Sequence, residues 1–224
     1  MTTTSAVRAT TAGVSRSTTL SEEFRFFRSQ MQPRVEAAAL IAALVARLVV
    51  GSWAATDAIV VVALVGIQPF FEWVFHVYVL HYRPVTLFGR TLDFELARKH
   101  REHHVDPSIV ELVFVPLRSL VWALVITTAL FGALMPSVGA ALTATAGASL
   151  LLLAYEWTHY LIHSTYRPKT RVFRAIWRAH RLHHYKNEQY WFGVTTPAAD
   201  YVLRTYPEPA DVPTSPTARD LAAR

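Results

Sequence analysis

Long apolar stretches alternate with charged blocks along the 224-residue chain. Four stretches carry almost no charge, and each is about as long as a helix that crosses the hydrocarbon layer, roughly 20 residues. They cover residues 37–54, 58–75, 112–135 and 138–158. The links 51–57 and 136–139 are too short to offer much polar surface, so a buried soluble bundle is disfavoured. The pattern predicts an all-α integral membrane protein with four transmembrane helices.

The two ends of the chain have a different pattern. Residues 1–20 are rich in serine and threonine and contain no cleavage signal, which predicts a disordered leader. In residues 21–35 apolar side chains recur at helical spacing after Ser21, a candidate cap, and we expect an interfacial helix there. The membrane domain then covers residues 36–206. Four prolines within ten residues predict a disordered tail over 207–224.

Composition supports this interpretation and gives an orientation. Apolar residues make up 52% of the chain and charged residues 17%, whereas soluble domains carry about a quarter charged residues. The 22 basic residues exceed the 16 acidic ones, and the excess lies in the flank before residue 37, in 76–111 and from 159 onward. The positive-inside rule therefore places both termini in the cytoplasm, and nucleic acid is not an expected partner. Arg47 is an exception within the first span, where it should face the bundle or snorkel outward.

Histidine is the residue type that carries the candidate chemistry. The chain has no cysteine, which excludes disulfides and zinc–thiolate sites. The ten histidines fall into four groups, which are His76 and His81; His100, His103 and His104; His159 and His163; and His180, His183 and His184. On helices, HxxHH and Hx3H spacing puts the rings of each group on one face. His76 and His81 are not so aligned, but Pro84 should end the helix near His81 and let its ring turn back.

All four groups are expected in a cytoplasmic helical cap at the inner ends of the second and fourth spans, where they can converge. Ten neutral imidazoles can complete the coordination of two transition-metal ions, because imidazole suits iron, zinc, copper and nickel. Glu72 and Glu156 are candidates to accept hydrogen bonds from the outer nitrogens of ligating histidines. Asn187 and Asp200 are further polar candidates. The sequence has no HExxH motif, phosphate-binding loop or nucleophile motif that would indicate another chemistry.

The two halves of the chain resemble each other. In each half a Glu-Trp pair precedes two histidines, and an HRxHH motif comes after them, at an offset of 80 to 84 residues. We therefore hypothesise two structural repeats, each with two spans and a histidine cap. The repeats would be related by an axis along the membrane normal, and each would contribute half of the site.

The histidine pattern resembles that of the fatty acid hydroxylase and sterol desaturase superfamily of membrane di-metal oxygenases. The motifs Hx4H, HxxHH, Hx3H and HxxHH carry the likeness over about residues 60–205. Three further matches favour the fatty acid 2-hydroxylase branch, as does the count of ten histidines. They are HHYKN at 183–187, FGVTTPAAD at 192–200, and HHVDP with the ELVFVP after it. The residues at 204 and 205 depart from the family motif, which leaves the substrate contacts open.

The resemblance implies a non-haem di-iron enzyme with the ten histidines as iron ligands and zinc as a possible occupant of purified protein. Such an enzyme uses O2 and two electrons to hydroxylate a C–H bond of a fatty acyl chain or acyl lipid. A separate electron donor, of the ferredoxin or cytochrome b5 type with its reductase, is expected because every histidine is already assigned. A carotenoid or sterol hydroxylase or desaturase is the alternative. A membrane metal transporter is a distant one, because ionisable residues other than Arg47 are absent deep in the spans.

Overall fold

The computed structural model describes residues 18–222, so the predicted leader lies almost wholly outside the described residues. The described chain is mostly helical. Its helices are α1 (Leu20–Phe27), α2 (Met31–Val50), α3 (Ala55–Phe75), α4 (Glu95–Val105), α5 (Val110–Val113), α6 (Leu117–Leu134), α7 (Val138–His163), α8 (Arg171–Tyr185) and α9 (Ala198–Val202).

Two short elements depart from the all-α prediction. A π-helical turn, His76–Leu80, continues α3, and strands β1 (Val85–Leu87) and β2 (Arg90–Leu92) form an antiparallel hairpin. The hairpin turn consists of Phe88 and Gly89, both with positive φ, 50° and 72°. Two such residues are what a tight two-residue hairpin requires. Local sequence rules do not predict this hairpin, because phenylalanine rarely adopts positive φ.

Three helical segments among the described residues are long and apolar enough to cross a membrane: Ala55–Leu80, Val110–Leu134 and Val138–His163. They correspond to the second, third and fourth predicted spans. The first predicted span also forms a helix, within α2. That helix contains three charged residues, Arg34, Glu36 and Arg47, and is not among the three candidates.

Helix α7 is the centre of the bundle and packs against α2, α3 and α6. Small side chains such as Ala140 and Ala144 are buried on it, and a Cβ at Gly147 would come within 2.7 Å of a side chain of α3. Small residues let helices approach closely in a membrane. In contrast, α3 and α6 expose large apolar side chains, for example Val62 at 72% and Trp122 at 57%. Such a surface suits contact with lipid.

The predicted interfacial helix over 21–35 is divided between α1 and the start of α2. The cap of α1 is Thr19, which lies before the predicted cap Ser21. Thr19 is extended, accepts a hydrogen bond from the Glu22 amide and donates its own amide to the Glu22 carboxylate at 2.7 Å. This capping box satisfies two backbone groups at the helix start. Phe27 at the end of α1 packs into a buried cluster with residues of α7.

The disorder predicted for 207–224 is not what the structure describes over residues 207–222. Residues 207–222, called the tail segment below, include a 3₁₀ turn at Pro209–Asp211 and bury Val212, Ala218 and Leu221. Prolines disfavour regular helices and strands, but they do not prevent side chains from packing against distant parts of a fold. The segment is therefore irregular in backbone but defined in its contacts.

Arg47 faces the interior of the bundle, one of the two positions expected for it. Its guanidinium lies 2.9 Å from an Asp57 carboxylate oxygen and 2.9 Å from the Thr143 hydroxyl, and it stacks on Trp53 at 3.7 Å. The ion pair joins α2 to the start of α3, at the end of the bundle opposite the histidines. Neutralising the charge in this way lowers the cost of placing α2 in an apolar environment.

We expect Asp57→Asn to lower the midpoint of thermal unfolding in detergent, because it leaves the Arg47 guanidinium buried without a counter-charge. The double variant Arg47→Met with Asp57→Asn should recover part of the loss, since it removes the unpaired charge. Circular dichroism during heating would measure both. Equal midpoints for the unaltered chain and the single variant would contradict a structural role for the pair.

Candidate metal centre

The ten histidines form two compact groups of five. The first group contains His76, His81, His100, His104 and His183, and the second contains His103, His159, His163, His180 and His184. Within each group one ring nitrogen per residue lies within 4.8 Å of all the others. The structure therefore brings together every histidine that the sequence singled out.

The two groups are interlocked by the HxxHH motifs of α4 and α8. In each motif the first and last histidines belong to one group, and the middle one belongs to the other. His103 of α4 thus joins the second group, and His183 of α8 joins the first. Each half of the chain supplies five rings, as the repeat hypothesis requires, but neither group is built from one half alone.

The π-helical turn aligns His76 with His81. The His81 amide donates a hydrogen bond to the His76 carbonyl at 3.1 Å, an i to i+5 contact that defines a π turn. This turn is wider than an α-helical one, and the two ring centroids lie 4.8 Å apart. The helix ends next to His81 as predicted, but the sequence pattern did not indicate the π turn that brings the rings together.

The geometry of the ring nitrogens fits bound metal ions. The Nε2 atoms of His183 and His81 are 3.2 Å apart, as are those of His103 and His163. Two nitrogens at right angles around an ion, each bonded at about 2.1 Å, would be about 3 Å apart. Further Nε2 atoms are buried without a hydrogen-bond partner, those of His76, His100, His104 and His159. Buried nitrogens without partners are costly, and a shared cation would satisfy them.

The histidines beyond the candidate spans are held neutral. Burial lowers the pKa of His104 to about 4 and that of His183 well below its usual range. At His81, burial again lowers the pKa, and the neighbouring rings of His76 and His183 add to the effect. Neutral imidazole is the form that binds metal, so the groups do not have to release protons before an ion can enter.

Backbone carbonyls hold the outer nitrogens of four rings. The contacts are His76 Nδ1 to Phe192 O at 2.7 Å, His159 Nδ1 to Val113 O at 2.8 Å, His183 Nδ1 to Tyr190 O at 2.8 Å and His104 Nδ1 to Ala218 O at 2.9 Å. Because a carbonyl can only accept, each Nδ1 carries the proton and each Nε2 is left bare. This is the tautomer that presents a lone pair to a metal.

Glu72 and Glu156 do not accept hydrogen bonds from histidine rings, in contrast to the role predicted for them. The Glu72 carboxylate accepts from the amides of Val194 and Thr195, and Glu156 accepts from the Val115 amide at 2.7 Å. In both cases, the amide that donates to the glutamate lies two residues after the carbonyl that holds a histidine Nδ1. The carboxylates bind backbone amides near the rings instead of the rings themselves, because backbone carbonyls already accept hydrogen bonds from the outer nitrogens.

Asp200 and Asn187, the other polar candidates, also position backbone near the rings. Asp200 is buried and accepts from the amides of Phe192 at 3.0 Å and Gly193 at 2.7 Å. A side chain at Gly193 would collide with the Thr196 carbonyl and with Asp200, so the loop needs glycine there. Asn187 donates to the Pro213 carbonyl at 3.2 Å, which ties the end of α8 to the tail segment.

A cavity of about 420 Å³ adjoins the first group, within the size range of small-molecule sites. Its lining residues are Trp73, Val77, His81, Arg83, Glu188, Gln189, Phe192, Thr205 and Leu221. The sequence did not single out Glu188 or assign a role to Thr205. Thr205 accepts from Trp73 Nε1 at 2.9 Å, and one buried oxygen of Glu188 has no partner among the described residues. Only the position of Glu188, shortly after HHYKN, could have drawn attention to it.

The family model for fatty acid hydroxylases matches residues 60–205, more than half of the chain. The chain therefore belongs to the fatty acid hydroxylase family, and the resemblance carried by its histidine motifs is confirmed.

Two curated relatives are dihydroceramide fatty acyl 2-hydroxylases of Arabidopsis thaliana. FAH1 is 28% identical over 148 residues, 66% of this chain and 60% of that protein, and FAH2 is 24% identical over 136 residues, 61% and 55%. The chain thus spans less than two thirds of either relative. The structure of full-length Scs7p, in which only the hydroxylase domain is visible, aligns with a TM-score of 0.68 at 22% identity. The alignment covers 82% of this chain and 68% of that one, which shows a shared fold.

Acid should destabilise the metal-free chain. The pKa of His104 is lowered to about 4, below the value of about 6.5 for an unfolded chain, so the unfolded state binds protons first as the pH falls. The stability that comes from keeping this ring neutral is complete above about pH 6.5 and is lost as the pH falls towards 4. Thermal unfolding midpoints measured across this window should decline. A constant midpoint would contradict neutral buried rings.

Glu72→Ala and Glu156→Ala, which remove the acceptor oxygens, should each weaken one of two metals. After loading with Zn²⁺, we expect about a 10-fold loss of affinity at one site in either single variant, because the carbonyl that orients a histidine is no longer held. Metal per chain, measured by elemental analysis after dialysis against graded chelator, should fall from two to one. The combined variant should retain neither ion, and if it retained as much as a single variant, the two carboxylates would not serve separate groups.

Proposed function

We propose that the chain is an O2-dependent lipid hydroxylase in which each histidine group holds one iron ion. The observation that carries the proposal is the pair of five-histidine groups, with neutral rings and bare nitrogens directed at one another. Family membership supports a fatty acyl substrate. The names of the two Arabidopsis relatives favour an acyl lipid over a carotenoid or sterol, which stays the alternative.

The proposed reaction converts a C–H bond, O2, two electrons and two protons into a C–OH group and water. Bound iron would supply the redox chemistry with O2 that no side chain can perform. The electrons are proposed to come from a separate protein of the ferredoxin or cytochrome b5 type, since all ten histidines of this sequence lie in the two groups. The chain's own residues would hold the ions, orient the histidine rings and shield the site from water.

Orientation is the task of groups that do not touch the proposed ions. Backbone carbonyls fix the tautomer of His76, His159 and His183, and the carboxylates of Glu72 and Glu156 fix the segments that carry two of those carbonyls. Such outer partners typically change metal affinity 10- to 100-fold when they are lost. These carbonyls and carboxylates also hold the ring nitrogens in position before an ion binds.

The cavity beside the first group is the proposed site for the reacting part of the lipid. Trp73, Val77 and Phe192 give it apolar walls next to His81, which suits an alkyl chain and excludes water. Glu188 and Arg83 add polar groups to the same lining, where a lipid head could be bound. Placing a chain against the site in one geometry is how a reactive centre selects one C–H bond among many equivalent ones.

We further propose that α2 is a fourth span and that both termini and the histidine groups face the cytoplasm. The paired charge of Arg47 and the basic residues outside the spans support this arrangement. The site then lies where a lipid can present its tail from the bilayer while its head stays at the interface.

Lipid analysis of cells that express the chain tests the proposed function. We expect a new hydroxylated acyl lipid, carrying a heavy-isotope oxygen atom when the cells receive labelled O2, and its loss to background in His183→Ala. Val172→Ala is the matched control, because Val172 lies on the same helix and is 73% exposed. Product formation by the His183→Ala chain at the level of the control would show that the site is wrongly assigned. Label from water instead of O2 would exclude an oxygenase.

A further inference from the structure

The tail segment lies against the first histidine group, although it comes after the residues that the family model matches. The Ala218 carbonyl accepts a hydrogen bond from His104 Nδ1 at 2.9 Å, and both residues are almost fully buried. The other three carbonyls that hold a histidine Nδ1 belong to residues within 60–205. His104 is therefore the ligand candidate whose tautomer is set from outside the matched region.

Arg219, the next residue, holds the end of the helix that carries His104. Its guanidinium donates to the carbonyl of His104 at 3.1 Å and to that of Val105 at 2.5 Å. These carbonyls lie in the last turn of α4, where no intrahelical amide remains to satisfy them. A cation at this end also complements the helix dipole. Ala218 and Arg219 thus fix both the ring and the backbone of one residue.

The tail segment is itself fastened to the end of α8. The Ser215 amide donates to the Lys186 carbonyl at 2.7 Å, and the Thr217 hydroxyl donates to the Glu188 carboxylate at 2.5 Å. Val212 packs in a buried cluster with Ala179 of α8. The segment therefore connects the ends of α8 and α4, the two helices that carry the HxxHH motifs.

We infer that Ala218 and Arg219 are positioning residues of the first metal site. The Ala218 carbonyl keeps the proton of His104 on Nδ1, so that Nε2, which is buried and without a partner, is directed to the ion. Arg219 sets where the end of α4 lies and hence where that nitrogen points. The inference rests on the proposed function, because it assigns an ion to the first group. It predicts a selective effect, since the tail segment holds no ring of the second group among the described residues.

Zinc binding tests this without relying on catalysis. The full chain, a variant that ends after Thr217 and a control that ends after Ala222 are titrated with Zn²⁺ in the presence of a competing chelator. The unaltered chain and the control should bind two ions. The variant that ends after Thr217 should bind one ion as before and the other about 10- to 100-fold more weakly, the usual effect of losing a ligand's outer partner. Two ions bound with unchanged affinity would overturn the inference.

Point variants keep the test decisive if the shortened chain does not fold. Arg219→Ala should weaken one site, Arg219→Lys should restore part of the affinity because its ammonium can still donate to both carbonyls, and Arg171→Ala is a control with an exposed arginine. Equal weakening of both sites in Arg219→Ala, or no recovery in Arg219→Lys, would overturn the positioning role. If the unaltered chain bound fewer than two ions, the metal assignment of the proposed function would fail as well.

Discussion

Ten imidazole rings packed against one another, eight of them buried, impose a strict requirement on this chain, because each buried ring has two nitrogens that water can no longer satisfy. Burial keeps the rings neutral, as the lowered pKa of His104 illustrates, and a neutral ring has one donor and one acceptor. The chain directs the donors of four rings outward to backbone carbonyls and the acceptors inward to one another. The loop after α8, the segment before α6 and the tail segment all contribute those carbonyls.

The same local arrangement serves both groups. A helix presents a glutamate and then a histidine, and a neighbouring segment offers a carbonyl to the ring and, two residues on, an amide to the carboxylate. The likeness extends beyond sequence motifs to hydrogen bonds, and it strengthens the repeat hypothesis. Because His103 belongs to the second group and His183 to the first, α4 and α8 each supply rings to both groups.

Periodicity and motif spacing were sufficient for the long helices and for the grouping of the ten histidines, because these depend on local patterns that a sequence displays directly. The family followed from the resemblance of the histidine motifs to a known family. Contacts between distant residues were not predictable in this way. The prolines of the tail segment indicate only what its backbone cannot form, and they say nothing of its contact with His104. For Glu72, the sequence predicted the neighbourhood correctly but not the partner, since a backbone amide 122 residues away has no signature in the chain.

The π-helical turn at the end of α3 affects how the two halves are compared. His76 and His81 are five residues apart, whereas their counterparts His159 and His163 are four apart in a regular helix. A π turn accommodates one additional residue within a helix. An alignment of the halves must therefore open a one-residue gap between these two histidines, and the wider turn accommodates the additional residue with the two ring centroids 4.8 Å apart, the same separation as between His159 and His163.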